Sequence, residues 1–530
     1  MHRKLFFKLF IIHLLTNFLL LLNYDGVYWD DYALYNQNFK TIYEMFKNHS
    51  GCVSLYFSYL HFILLKAGTF IYRILVFLLY FFNTIFLYEI LKKLNFLSEN
   101  EKLSITFLFM LSPLCFAKIS LMHFTYVINL PIFYFAFFLL SKYIESPSSL
   151  KRIIILILFF ISFTTNSLLV FYLLPIAYLF YLNYNSKTSF TFNFLKFLKN
   201  NIDFLILPLI YWFLRLTYFK PSGLYEGYNA ININLKTPLY ILISIFTNLI
   251  EPLDLSFNHS FSLWYITIFL ILIFYFLFDN QLEKSENNED KLLNLKFLIG
   301  IIIFLIGVLP YIFVQKIPTL WDWDSRHQLL LPLGFSFIVY FGLKIFLKKL
   351  LKLKFGNFIL YFFLSSFLIE NLIANFKYHI DFFYQLSIIE NLKENELVKN
   401  NYTFVVKTEL KDKLALNRWL RFYELNGMSK IAFGIDNKLF IPENIDLNSD
   451  FNFYKPYKQY NFSNWEPGSF QNKKYIVIRE NPDTPFFNFD KKFFILFPYL
   501  KYYLKLNFYK IFKPTYFKRE ISKLVIIEAL

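Results

Sequence analysis

The chain has 530 residues, 57% of them apolar, and a mean hydropathy of +0.43. Soluble domains hold about 45–50% apolar residues, so the excess calls for a non-aqueous solvent. Thirteen Gly and 18 Pro exclude collagen-like, elastic and low-complexity chains. Charged residues make up 17%, yet the net charge is +17. On so apolar a chain a basic excess is a signal of membrane orientation before it is a footprint for nucleic acid. The abundance of Phe and Tyr, 73 and 40 residues, reads as compositional bias and carries no mechanism. Cys52 and Cys115 build no disulfide framework. These features define an α-helical polytopic membrane protein.

A helix needs about 20 mostly apolar residues to cross a hydrocarbon layer roughly 30 Å thick. The first such run, 5–22, follows Arg3, Lys4 and Lys8 and lacks a small-residue cleavage site, which predicts a retained first helix with a cytoplasmic N-terminus. Further spans read at 70–91, 103–121, 124–142, 152–165, 167–183, 202–219, 261–278, 296–315, 328–347 and 356–374, eleven with the first. Lys92 and Lys93, Lys142 with Lys151 and Arg152, Lys187 with Lys196 and Lys199, and the Lys344–Lys354 cluster then share one side. The positive-inside rule makes that side cytoplasmic. The acidic loop 279–291 falls there too, which the rule tolerates because Asp and Glu contribute little.

Pro238–Leu255 is apolar but ends in Glu251, Pro252 and Asp254. A full span there would send the Lys344–Lys354 cluster outside, so the expectation is a half-membrane or interfacial helix buried against protein. Beyond residue 375 the periodicity changes. Tyr402–Val406 and Lys474–Arg479 predict short strands, and Leu414–Leu425 predicts an amphipathic helix. The reading is therefore a transmembrane domain over 1–375, with a long first outer loop at 24–69, and a soluble exoplasmic α/β domain over 376–530. No internal repeat marks a transporter of inverted halves.

Ionisable residues near spans are costly and tend to be functional, and here they collect on the outer face. The first outer loop carries Trp29, Asp30, Asp31 and Tyr32 just beyond the first helix. Two adjacent carboxylates suit a general base with an orienting or cation-holding neighbour; Trp and Tyr flanking Asp equally suit an interfacial loop. A second cluster, Trp321, Asp322, Trp323, Asp324, Arg326 and His327, sits between spans nine and ten. Its guanidinium matches phosphate geometry, or else it snorkels. His123 occupies the turn between spans three and four, behind Lys118, and reads more readily as a satisfied interfacial residue than as a ligand. Arg215 and Lys220 end span seven, where they grip a lipid phosphate or anchor the helix. The chain has no Gly-rich phosphate loop, His-Glu-x-x-His, paired zinc cysteines or Gly-x-Ser-x-Gly. Its basic residues form no stripe for nucleic acid.

A retained first helix, a long first outer loop opening on Trp29, Asp30, Asp31 and Tyr32, paired short spans three to six and an outer C-terminal domain resemble the C-type membrane glycosyltransferases (GT-C fold). That superfamily includes protein O-mannosyltransferases, lipid A aminoarabinose transferase and oligosaccharyltransferase. The amphipathic, Tyr-rich segment 36–66 sits where the family lays juxtamembrane helices. Leu111–Leu114 followed by Tyr126–Tyr143 looks like its third and fourth spans. Over residues 1–375 the resemblance implies transfer of a hexosyl or pentosyl group from a polyprenyl-phosphate donor to a glycan, lipid or protein acceptor outside the membrane. It implies Asp30 or Asp31 as base, and Arg326, Arg215 and His327 at the donor phosphate. Trp29, Tyr32, His123, Asp322 and Asp324 become candidate substrate contacts. Where many members carry a second acidic motif this chain has Lys118 and His123, a departure that weighs against a metal-dependent mechanism, although the first-loop carboxylates leave a divalent cation open.

Two other readings share the architecture. A flippase for lipid-linked glycans needs charges facing one another at mid-membrane, whereas the charges here lie mostly at span ends. A non-catalytic assembly protein for envelope polysaccharide needs only a packed, dry outer face.

Overall fold

The computed structural model describes residues 3–35, 37–50, 54–218, 220–222, 226–227, 229–282, 292–350, 356–435, 437–443, 473–483 and 493–530. Cys52, the 283–291 part of the acidic loop, Lys352 and Lys354 lie outside them. The helices run in order as α1 (Arg3–Leu22), α2 (Phe39–Ser50), α3 (Ser54–Ala67), α4 (Thr69–Leu91), α5 (Glu99–Leu111), α6 (Phe124–Tyr143), α7 (Ser149–Ser162), α8 (Ser167–Phe171), α9 (Leu173–Asn183), α10 (Phe190–Asn200) and α11 (Ile202–Thr217). There follow α12 (Thr237–Ile245), α13 (Glu251–Ser262), α14 (Trp264–Leu282), α15 (Leu293–Ile312), α16 (Leu331–Leu350), α17 (Gly356–Glu394), α18 (Glu396–Lys399) and α19 (Phe422–Phe433), with two more helices at Phe493–Phe512 and Pro514–Ile521.

Among the described residues six helices are long and apolar enough to cross a membrane, or eight if each of two bent pairs is one span. Eleven spans were expected, and the difference has local causes. Pro113 cannot continue the helix before it, so α5 stops at Leu111 after 13 residues, about 20 Å. The expected span at 103–121 therefore finishes as loop. α7 has 14 residues, and 167–183 is two short helices. The spans at 202–219 and 328–347 each belong to a bent pair, kinked by 60° and 75°. Pro238–Leu255 is not a self-contained half-helix: Thr237–Ser262 is helical for 26 residues. A wide π turn at Phe246–Ile250 carries it past Pro252, whose ring would otherwise press on the preceding turn.

Close packing and one ion cluster hold the bundle. Gly334 lies so near α15 that an added Cβ would stand 2.4 Å from the Phe304 nitrogen, so only a missing side chain lets α15 and α16 approach this far. At the end of α5 away from Pro113, buried Glu101 pairs with Lys296 of α15 at 2.7 Å and Lys344 of α16 at 3.4 Å. A carboxylate there without its ammonium partners would be costly.

The tail is built on α17, a 39-residue helix that runs unbroken through residue 376, the expected domain boundary, to Glu394. Against its second half packs a four-stranded sheet of order β2-β1-β3-β4 (β1 Thr403–Thr408, β2 Leu439–Pro442, β3 Lys474–Glu480, β4 Val525–Ala529). β1 is parallel to β2 and β3, while β4 returns antiparallel. Both expected strands are present. The expected helix at Leu414–Leu425 is instead a pair of short turns, and helix α19 starts only at Phe422.

One hydrophobic core joins this sheet to the first loop: Val27, Tyr32, Leu34, Ile42, Met45 and Phe57 pack with Leu425, Met428 and the strand residues. α19 reaches Tyr32 because Gly427 has no side chain; a Cβ would lie 2.4 Å from the ring. Overpacking such a site costs about 1–3 kcal/mol. Gly427→Ala is therefore expected to lower the thermal unfolding midpoint of the detergent-solubilised protein, with a smaller loss when Tyr32→Leu relieves the contact in the double variant.

Candidate functional site

The first loop leaves α1 through a short 3-10 turn, Trp29–Ala33. Trp29 has φ +49° and Asp322, on the loop before α16, has φ +50°. Left-handed backbone at non-glycine residues costs about 1–3 kcal/mol and persists only where the surroundings enforce it. Here the two strained residues hold each other. The Trp29 indole N–H donates to Asp322 Oδ1 at 2.7 Å, which also accepts from the Trp323 amide at 2.8 Å. The Trp29 and Trp323 rings lie 5.1 Å apart, and Arg421 of the tail closes on Asp322 Oδ2.

The neighbouring carboxylates part company. Asp31 is fully buried and accepts from the Tyr28 amide at 3.1 Å, the Met122 amide at 2.8 Å and the Ser120 hydroxyl. It fastens the first loop to the 112–123 loop and is not among the residues that line the cavity beside Asp30. Asp30 turns the other way, and among the described residues none hydrogen-bonds its carboxylate. It lines a cavity of about 420 Å³ shared with His123, Arg215, Lys316, Arg326 and His327. Phe46 and Phe57 of α2 and α3, Leu169, Val170, Trp212 and Phe313 form apolar walls, and Tyr423 of α19 closes one side.

The cavity is cationic. Arg326 lies over the Trp323 ring at 4.6 Å and donates to the Trp323 carbonyl at 2.9 Å, so stacking fixes its direction. Lys316 donates to Asn229 at 2.6 Å; burial, with Arg326 nearby, pulls its ammonium down to about 7. No described residue bonds Arg215. Burial pushes the Asp30 carboxyl up to about 6, opposed by Arg326 and Arg421 and reinforced by Asp31 and Asp322. Burial beside Arg326 pushes His123 down to about 3, so its ring is neutral at physiological pH. Among the described residues three buried polar atoms of the lining have no hydrogen-bond partner, His123 Nδ1, Asn129 Oδ1 and Asn166 Oδ1, and His327 Nδ1 has only the Asp324 carboxylate at 3.6 Å. Unpaired buried polar atoms are uncommon, and along a cavity they offer hydrogen bonds to a ligand.

A divalent cation does not fit this donor set. Among the described residues no three His, Cys, Asp or Glu side chains converge to hold one. Asp30 is the only acid among the described lining residues, and it faces three basic ones.

Of the residues the sequence singled out, Asp30, His123, Arg215, Arg326 and His327 meet in one cavity although they span almost 300 positions. Asp31, Trp29 and Tyr32 are buried outside the lining of this cavity, and the Tyr32 hydroxyl donates to Gln385 at 2.6 Å. Asp322 positions the strained turn. Asp324 is exposed, 3.8 Å from Arg326 and 3.6 Å from His327. Lys118 is buried against Asn17 and the Tyr80 ring. Sequence reasoning missed Lys316, Asn129 and the run Thr164–Ser167, where the hydroxyls of Thr164 and Thr165 accept from Asn129 at 2.8 and 2.9 Å. The signal for the last was available: four polar residues in a row between two apolar stretches. No family model, curated protein or solved structure matches the chain.

An acid whose pKa is raised by folding destabilises the fold as it ionises, so Asp30 lowers stability as pH rises from its ordinary value through about 6. Asp30→Asn mimics the protonated acid. Its unfolding midpoint is expected to exceed that of the parent at about pH 8, with the gap closing toward about pH 4.

Proposed function

We propose that the protein is a membrane glycosyltransferase of GT-C type, which transfers a sugar from a polyprenyl-phosphate donor to an acceptor at the outer membrane face. The observation that carries this reading is the cavity in which an unbonded carboxylate, Asp30, faces Arg215, Lys316 and Arg326 across apolar walls. A donor with an isoprenoid tail and an anionic phosphate needs these two chemistries side by side.

In the proposed step Asp30 accepts the proton of an acceptor hydroxyl as its oxygen bonds the anomeric carbon. The bond from that carbon to the phosphate oxygen breaks, and its electron pair leaves with the polyprenyl phosphate. Arg326, with Lys316 and Arg215, offsets the charge on the leaving phosphate, and the proton on Asp30 passes to water. Arg326, held by the Trp323 ring, with Arg215 and the protonated form of Lys316, supplies the positive charge that a divalent ion supplies elsewhere. The unpaired atoms of Asn129 and Asn166, with the Thr164 and Thr165 hydroxyls, suit the sugar.

The proposed topology has eleven passes, counting the shorter helices, with a cytoplasmic N-terminus and an exoplasmic tail. The stretch before α13 supports it. Asn234 bonds Gln315 at 3.4 Å, Asn248 bonds the Pro318 carbonyl at 2.9 Å, and Trp321 bonds Glu251 at 3.3 Å. Residues 234–251 thus run alongside the 315–321 loop, which supports keeping them on one side even though Thr237–Ser262 is itself long and apolar enough to cross; the crossing then falls to α13 and α14, and the lysine clusters stay together inside. The cavity also distinguishes this reading from a packed scaffold, and a flippase has no need of a base at the water boundary.

Cells lacking the protein are expected to accumulate a polyprenyl-phosphate-linked sugar visible by mass spectrometry, and the parent gene to clear it. Asp30→Asn should cut transfer by about 10²–10⁴-fold at normal expression, and Arg326→Ala by about 10²-fold or more. The rate should fall as pH drops below about 6, where Asp30 takes up its proton. Full transfer by the Asp30→Asn protein would sink the proposal.

A further inference from the structure

The tail carries a second attachment surface. The Phe493–Phe512 helix buries Tyr503 and Leu506, the Tyr503 ring meeting His379 and Phe376 of α17, and leaves another face bare. Leu504, Phe508 and Phe512 are 58%, 50% and 67% exposed and stand four residues apart, with Leu500 and Ile511 alongside. That spacing is a single helical stripe. From 493 to 524 the sequence has seven Lys or Arg and one Glu. Lys501, Lys513, Lys518 and Arg519 are exposed.

Its level is set by what it touches. Lys510 pairs with Asp25 and lies over the Tyr24 ring at 4.7 Å, immediately past the end of α1. The Tyr503 hydroxyl bonds His379 at 2.7 Å, and its ring packs on Phe376 at 4.5 Å. α17 starts at Gly356, so Phe376 is about 30 Å along it, one hydrocarbon thickness. Lys510 lies 5.8 Å from the Phe383 ring, and Tyr503 is 6.1 Å from the same ring. Two residues about 10 Å apart on one helix thus meet the same turns of the other, so the helices cross. A helix lying across α17 at this depth runs along the bilayer boundary. There an apolar stripe flanked by lysines is the signature of an interfacial helix, with the ammonium groups reaching the lipid headgroups.

The geometry points to the outer leaflet of the bilayer as the occupant of this stripe: the Phe493–Phe512 helix is a membrane-surface anchor that prefers anionic lipid. Apolar continuity supports it, since the lipid-side residues Phe18 and Leu22 of α1 are exposed just below Tyr24. The anchor lies at the depth where a lipid-linked donor would present its phosphate. It rests on the membrane reading of α1 and α17, not on the transfer reaction.

The test places a nitrobenzoxadiazole probe on single cysteines in full-length protein carrying Cys52→Ser, Cys115 being buried. The protein is reconstituted in phosphatidylcholine–phosphatidylglycerol vesicles with doxyl-labelled phosphatidylcholine. Leu15→Cys on α1 is the lipid control, and Glu396→Cys, 75% exposed beyond the far end of α17, is the aqueous one. Leu504→Cys and Phe508→Cys are expected to lose fluorescence as Leu15→Cys does, while Glu396→Cys keeps it and is quenched by iodide. If position 15 is quenched by lipid and positions 504 and 508 respond only to iodide, the stripe faces water and the proposal falls. Protection of 504 and 508 from both quenchers assigns the stripe to a protein partner and also overturns it. No lipid quenching at position 15 removes the membrane reading itself.

Discussion

A buried guanidinium holds the tail, the long helix and the first loop together. Arg418 is wholly buried and binds Asp381 of α17 through Nε at 2.6 Å and Nη2 at 2.7 Å, and Glu424 of α19 at 2.5 Å. Asp381 also accepts from the Ala415 amide at 3.0 Å and Gln385 at 2.9 Å, and Gln385 in turn receives the Tyr32 hydroxyl. The guanidinium lies 5.7 Å from the Tyr28 ring and 5.4 Å from the Trp29 ring. Such a network is worth little against an apolar replacement, but loss of one member costs about 3–5 kcal/mol because it strands the others. Its effect is specificity: it fixes the tail, the long helix and the first loop in one arrangement, and that arrangement aims Asp30.

Two carboxylates adjacent in sequence thus acquire opposite roles. Asp31 is spent on three hydrogen bonds that pin two loops, while the strained backbone of Trp29 turns Asp30 toward the cations. Arg73 completes the scaffold by donating all around to carbonyls of Asn23, Gly26 and Ile119. Apart from Trp323, which lines the cavity and holds Arg326, the side chains that brace the Asp30 turn lie outside the cavity lining.

Residue type and position alone located Asp30, His123, Arg215, Arg326 and His327, because charge crowded against apolar runs is costly and its placement informative. The rest was hidden for physical reasons. Choosing between Asp30 and Asp31 depends on a positive φ at Trp29, which no side-chain pattern encodes. Lys316 looks like any lysine after a span until the fold buries it beside Arg326. The expected span at 103–121 overruns α5 because the loop after it is apolar too: Leu114, Cys115, Phe116, Ala117, Ile119 and Leu121 carry the window past Leu111. The shared core of loop and tail was also invisible, since its two halves are separated by the whole helical bundle.

That shared core has a consequence for biosynthesis. Asp30 emerges from the ribosome among the earliest residues, but the groups that orient it, Arg418, Arg421 and Glu424, and the wall supplied by Tyr423, come about 390 positions later. Through most of translation the first loop lacks these partners, and the surroundings of Asp30 are complete only once the chain beyond residue 376, almost three-tenths of its length, has folded against it.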